Sequence, residues 1–120
     1  MVSDEYKELR ELPLDVYFSI VSLIHFLSRF KGINVFLFGS YAKLIFKEKS
    51  DIDVAIISET IKESDKKEMN KLIQKLEEKY GKNIEIHYFG TNFYKNRRDQ
   101  LVNEILKNGI FSHIFFRKFL

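Results

Sequence analysis

The sequence contains no cysteine, and this absence excludes three kinds of site at once. A disulfide framework, a thiolate zinc site and a cysteine nucleophile all need side chains that the chain lacks. The absence fits a reducing compartment, and we expect the protein to be cytoplasmic. Proline and glycine are also scarce, with one and five residues, so most of the chain is predicted to form regular secondary structure.

Long hydrophobic runs and a strong charge of one sign are missing as well. The most apolar stretch, residues 14–30, is too short for a membrane span and contains Asp15, His25 and Arg29, so it predicts a buried helix. The first five residues are acidic, and no secretory signal is expected. The net charge of +3 permits contact with phosphates but argues against nucleic acid as the partner.

The length of 120 residues predicts a single domain over residues 1–120. Hydrophobic periodicity and the few chain-breaking residues predict the elements in order. They are helices over 4–11 and 14–30, a strand over 33–38, a short helix or turn over 40–46, a strand over 52–57, a helix over 62–80, a strand over 83–89, and a last helix, with or without a break, from Thr91 to about Asn108. This order predicts an α+β fold in which a small mixed β-sheet carries helices mainly on one side.

Two aspartates, Asp51 and Asp53, stand at the start of the second predicted strand. Residues i and i+2 of a strand point to the same face, with Cα atoms about 6.5–7 Å apart. Two neighbouring carboxylates repel each other unless a cation compensates, and oxygen ligands favour Mg²⁺. Two such ions can activate a hydroxyl and stabilise a pyrophosphate leaving group. The alternative is a solvated strand end.

Gly39 and Ser40 follow the first predicted strand and open a helix or turn. Glycine lets a phosphate approach the backbone closely, and a helix N-terminus offers free N–H groups. The Ser40 hydroxyl can donate to a phosphate oxygen. A plain strand-ending turn is the alternative, but together with Asp51 and Asp53 the pattern predicts a phosphate-binding turn and a metal site at one edge of the sheet.

Glu85 is the best candidate for a third carboxylate. Strand alternation puts Glu85, His87 and Phe89 on one face of the third predicted strand. A charged residue inside so apolar a strand needs a partner or a metal. Exposure at a sheet edge is the alternative. His87 either orients a carboxylate or a water molecule, or is a structural histidine.

The pattern Gly39-Ser40-x10-Asp51-x-Asp53, with an apolar strand before each half, resembles the minimal nucleotidyltransferases of the DNA polymerase β superfamily. Many of these are antitoxins encoded beside a HEPN-domain toxin. The resemblance implies that Gly39 and Ser40 hold the triphosphate of ATP, and that Asp51, Asp53 and Glu85 bind two Mg²⁺ ions. It also implies transfer of AMP to a tyrosine of the partner toxin.

The sequence departs from this family at Lys43 and Leu44, where Arg-Gly is usual. Lys43 still offers a cation to the nucleotide phosphates, but without the bidentate geometry of arginine. A second interpretation therefore stays open, in which the chain binds nucleotide and neutralises its partner by forming a complex. Transfer to a small molecule or an RNA end is a third, but the chain has no length for a further acceptor-binding domain.

The last eleven residues, 110–120, are rich in large apolar side chains. Together with the broad apolar surface of residues 14–30, they exceed what a minimal core is expected to bury. Large exposed apolar surface usually marks an interface. We therefore expect a homodimer, a partner protein or both, and the alternative is that the tail packs across the sheet.

Overall fold

The computed structural model describes residues 12–43, 47 and 49–111, so the predicted helix over 4–11 and most of the apolar tail lie outside the described residues. The elements are α1 (Leu14–Leu27), β1 (Asn34–Phe38), α2 (Gly39–Ala42), β2 (Ile52–Ile57), α3 (Glu63–Tyr80), β3 (Ile84–Phe89), a 3₁₀ helix (Thr91–Lys95), α4 (Gln100–Asn108) and β4 (Ile110–Phe111). The three predicted strands are confirmed to within one residue at each end.

The four strands form one mixed sheet in the order β3-β2-β1-β4. β1 pairs antiparallel with β2 and with β4, whereas β2 and β3 run parallel, with α3 as their crossover. The mixed sheet was predicted, but β4 was not. Two residues are too short to display a strand period, and only their pairing with Phe36 and Leu37 identifies them as a strand.

The two faces of the sheet contact different helices because strand residues alternate. The two long helices, α1 and α3, pack on one face, as predicted, against Val35, Leu37, Ile52, Val54, Ile56 and Ile84. The opposite face is covered in part by the 3₁₀ helix and α4, which pack against Phe38, Ala55 and Ile57 through Phe93, Val102 and Ile105. This second face also carries the acidic side chains of β2 and β3.

The helix α1 is amphipathic, with Val16, Ile20 and Leu23 almost fully buried. The predicted span of 14–30 is three residues too long. After Leu27 the hydrogen-bond pattern changes from α-helical to 3₁₀, since the N–H groups of Arg29 and Phe30 donate to carbonyls three residues earlier. No helix in the described part of the chain is both long and apolar enough to cross a membrane.

The predicted last helix is divided into two, the 3₁₀ helix and α4, and a different residue precedes or begins each of them. The Asp99 carboxylate accepts a hydrogen bond from the Val102 N–H at 3.1 Å and so caps α4. Thr91, at which the last helix was predicted to begin, donates its N–H and its hydroxyl to Glu59 Oε1, at 2.5 and 2.9 Å. Thr91 thus ties the start of the 3₁₀ helix to the loop after β2.

Candidate active site

The parallel register of β2 and β3 brings three polar side chains into one group. Asp53 pairs with Glu85, and His87 follows two residues later on the same face of β3. Ligand atoms of Asp53, Glu85 and His87 all lie within 4.8 Å of one another. His87 Nε2 lies 3.9 Å from Asp53 Oδ1 and 3.8 Å from Glu85 Oε2, so one imidazole nitrogen faces both carboxylates.

The ionised form of Asp53 is unfavourable in this group, as the pKa of its carboxyl shows. The pKa of Asp53 is raised to about 6, first by burial and then by the charge of Glu85, while His87 opposes the rise. Asp51 and a hydrogen bond shared with Glu85 contribute in the same direction as burial. A bound cation would relieve this repulsion, because it favours the ionised form of each carboxylate.

Asp51 lies just before β2 and is half-buried. Its charge acts on Asp53 and also on the buried Tyr41, whose pKa is raised first by burial and then by Asp15 and Asp51. Among the described residues, the compact group consists of Asp53, Glu85 and His87 and does not include Asp51. A role for Asp51 as a metal ligand therefore stays a prediction.

Gly39 brings the backbone of the predicted phosphate-binding turn against the acidic group. It opens α2 directly after β1, with φ of +77°, and Phe38 before it pairs with Asp53. A Cβ built on Gly39 would overlap Asp53 Oδ2 and would lie 3.1 Å from its Cγ. Ser40 follows in the first turn of α2 and is half-buried. The turn and the carboxylate thus lie at the same edge of the sheet.

Gly39→Ala is expected to lower the free energy of unfolding by at least about 2 kcal/mol. The left-handed backbone alone costs about 1–2 kcal/mol for a residue with a Cβ, and the overlap with Asp53 adds to this. Urea denaturation measures the change. Gly81→Ala is the matched control, because Gly81 has φ of +72° but open space around a built Cβ. An equal loss in both variants would contradict the close approach of Gly39 to Asp53.

Lys43, predicted to offer its charge to the nucleotide phosphates, is engaged elsewhere. Its Nζ lies 2.6 Å from Glu104 Oε1 on α4, with about a third of each side chain exposed. Hydrogen bonding from Lys43 holds the pKa of Glu104 below its usual range, and Asn108 adds to this effect. Lys43 therefore has a protein carboxylate as its partner in the structure, and its contact with the nucleotide phosphates stays a prediction.

Two further residues shape the group and were missed from the sequence. The ring of Phe38 meets the ring of His87 nearly edge-on, with centroids 5.2 Å apart. Ala55, opposite His87 on β2, is fully buried, and its small side chain leaves space for this contact. The only sequence signal was an alanine inside a strand of β-branched residues. Its position beside Phe38 and His87 follows only from the pairing register of β1, β2 and β3.

Comparison with known proteins identifies a family and a fold. The model of the nucleotidyltransferase domain family matches residues 20–112. A crystal structure of a toxin–antitoxin with AMP-PNP is similar at a TM-score of 0.50 and 20% identity, over 79% of this chain and 70% of that chain. The crystal structure of a toxin–antitoxin MntA-HpeT mutant, with aspartate-to-glutamate changes two positions apart, is similar at a TM-score of 0.50 and 18% identity, over 79% of this chain and 70% of that chain. At these identities the likeness shows the fold alone. The curated proteins gave no match.

Proposed function

Because this chain belongs to the nucleotidyltransferase domain family, we propose that it transfers AMP from ATP to a tyrosine of a partner protein, a HEPN-type toxin, in a Mg²⁺-dependent reaction. Asp51, Asp53 and Glu85 are the proposed ligands of two Mg²⁺ ions. Gly39 and Ser40, with Lys43 beside them, are the proposed binding site of the triphosphate. The observation that carries the proposal is the packing of Gly39 against Asp53, beside Glu85.

The donor atoms of the acidic group fit Mg²⁺. Asp53 and Glu85 offer the carboxylate oxygens that this ion prefers. The pKa of Asp53 is raised first by burial and then by the charge of Glu85, and a cation would offset both effects. The imidazole of His87 is a softer donor, so His87 is better suited to donate a hydrogen bond that orients a carboxylate. When bound, Mg²⁺ lowers the pKa of the attacking hydroxyl and offsets the charge of the leaving pyrophosphate.

Different residues of the chain have different proposed roles in the transfer. Backbone N–H groups at Gly39 and Ser40 hold the phosphates, so that the α-phosphorus faces the acidic group. The acceptor oxygen attacks that phosphorus, the bond to the oxygen bridging the α- and β-phosphates breaks, and pyrophosphate leaves. Glu85 is the residue proposed to take the hydroxyl proton, and the 56% exposure of its side chain supports this role.

The similar structures support the nucleotide and the partner as proposals. One contains AMP-PNP, an ATP analogue, together with a toxin–antitoxin. The changed aspartates of the other have the same i, i+2 spacing as Asp51 and Asp53. On this chain, Leu14 and Phe18 of α1 are 72% and 49% exposed, which supports an interface with the partner or with a second copy of the chain.

Intact mass spectrometry after incubation with ATP and Mg²⁺ tests the proposal directly. The protein encoded beside this chain serves as acceptor, and Asp51→Asn/Asp53→Asn is the control. We expect the mass of AMP to be added to the acceptor by the wild type and not by the double variant. An unmodified acceptor in the presence of bound ATP would contradict the proposed transfer.

A second candidate function is neutralisation of the partner by complex formation, with weak or no transfer. The ion pair between Lys43 and Glu104 favours it, because a lysine that pairs with a carboxylate attracts the triphosphate less strongly. In that case the complex would form equally well with wild type and with the Asp51→Asn/Asp53→Asn variant. Size-exclusion chromatography of the mixtures distinguishes the two candidates when it is combined with the mass measurement.

A further inference from the structure

The ion pair between Lys43 and Glu104 joins the proposed nucleotide site to a distant part of the chain. Lys43 directly follows α2, and its N–H donates a hydrogen bond to the Gly39 carbonyl at 3.2 Å, the last bond of that helix. Glu104 lies in the middle of α4, which packs on the sheet through Val102 and Ile105. One contact of 2.6 Å therefore connects the phosphate-binding turn to a helix that contributes no other residue to the proposed site.

The Glu104 carboxylate is held in place on both oxygens. Its Oε2 accepts a hydrogen bond from Asn108 Nδ2 at 3.1 Å, one helical turn later. Its Oε1 is shielded from solvent and, within the part of the chain that the structure describes, accepts no hydrogen bond of good geometry, so the Lys43 ammonium at 2.6 Å acts as its charge partner. Withdrawal of Lys43 would leave a shielded anionic oxygen without its charge partner, which is unfavourable.

Lys43 is also within reach of the triphosphate site. It stands one helical turn after Gly39, about 6 Å along the helix axis. Helical side chains tilt towards the helix N-terminus, and the lysine side chain is long and flexible. The ammonium therefore has two anionic partners available, the Glu104 carboxylate and a phosphate bound at Gly39 and Ser40, and it cannot pair closely with both at full strength.

We propose that Glu104 is a positioning residue that competes with the nucleotide triphosphate for Lys43 and thereby sets the affinity for ATP. The inference rests on the proposed function, since it assumes that ATP binds at Gly39 and Ser40. It goes beyond that function by assigning a role to a residue outside the motif. Triphosphate binding then releases Lys43 from α4, so the position of α4 and the occupancy of the site are coupled.

Glu104→Gln tests the competition, because glutamine keeps the shape and the Asn108 contact but removes the charge that attracts Lys43. We expect the Kd for ATP in the presence of Mg²⁺ to fall about fivefold, which corresponds to about 1 kcal/mol. The Kd for AMP should be unchanged, because AMP lacks the phosphates that Lys43 would contact. Isothermal titration calorimetry with both nucleotides measures the difference.

The matched control is the same substitution in a Lys43→Met background, where Glu104→Gln should change neither Kd. Glu104→Asp keeps the charge, and its Kd for ATP should stay near that of the wild type, which guards against a general effect on folding. An unchanged Kd for ATP in Glu104→Gln, a gain that persists without Lys43, or an equal gain for AMP would each overturn the proposal. If the wild type and all variants fail to bind ATP, both the proposed function and the competition are contradicted. If the wild type binds ATP but Glu104→Gln leaves the Kd for ATP unchanged, only the competition is contradicted.

Discussion

Asp53→Asn is expected to abolish nucleotide transfer and, at the same time, to stabilise the metal-free protein at pH 7. Transfer should fall at least about a thousandfold, since the variant lacks the charge proposed to hold Mg²⁺ and would lose the contribution of that ion to the transition state. Mass spectrometry of the acceptor measures the loss. Transfer within about tenfold of the wild type would contradict the role of Asp53.

The gain in stability has an electrostatic cause. At pH 7 the half-buried Asp53 carboxylate is ionised, although burial and the charges of Glu85 and Asp51 together raise its pKa to about 6. Asparagine is nearly isosteric and neutral, so the variant should unfold with a free energy about 1–3 kcal/mol higher in the absence of metal. Urea denaturation in EDTA measures the difference.

Glu78→Gln is the matched control for the loss of one negative charge, because Glu78 is exposed on α3 and is not a member of the group. Its free energy of unfolding should change by less than about 0.5 kcal/mol. A destabilised Asp53→Asn variant would mean that Asp53 is satisfied by the protein itself, and the argument for a cation at this position would fail.

The metal-free protein should lose stability as the pH rises through the range in which Asp53 ionises. The pKa of Asp53 is about 6 in the folded chain against an ordinary value of 3.8. Between these values the folded state keeps a proton that the unfolded state has released. The contribution of Asp53 is therefore fully present below about pH 4 and is lost as the pH rises past 6, by up to about 3 kcal/mol.

The difference in free energy of unfolding between wild type and Asp53→Asn, measured from pH 4 to pH 8 in EDTA, isolates this contribution from other titrating groups. The wild type should weaken relative to the variant across that range. Added Mg²⁺ should have the opposite dependence, with a small increase in Tm at pH 5 and a larger one at pH 7.5, because protonated carboxylates bind it poorly. A pH-independent difference would show that Asp53 titrates normally.

Local patterns were sufficient to predict the elements that are long or sharply bounded. β2 was predicted to the residue, because residues 52–57 are rich in β-branched side chains. The end of α3 was marked by Gly81, which adopts the left-handed conformation that ends helices. The start of α4 was not marked, since Thr91 and Asp99 are both good capping residues and only the Glu59 contact decides between them.

The candidate site was predictable where it depends on neighbours in sequence and not where it depends on tertiary contacts. Strand alternation placed Glu85 and His87 on one face of the third strand, and the family resemblance grouped Glu85 with Asp53. The parallel register of β2 and β3 brings Asp53 and Glu85 side by side. The partner of Lys43 could not be predicted, because Glu104 lies 61 residues further along the chain and belongs to no motif. Likewise, the inclusion of His87 depends on the pairing of β3 with β2.

The pairing of β4 with β1 has a consequence for the order in which the molecule assembles. Leu37 and Ile110 are 73 residues apart in the chain, so β1 has an unpaired outer edge until the residues of β4 have been synthesised. Unpaired edges recruit strands from other molecules. During synthesis on the ribosome, β1 therefore depends on β2 alone, and the nascent chain is most prone to self-association before its last strand has emerged.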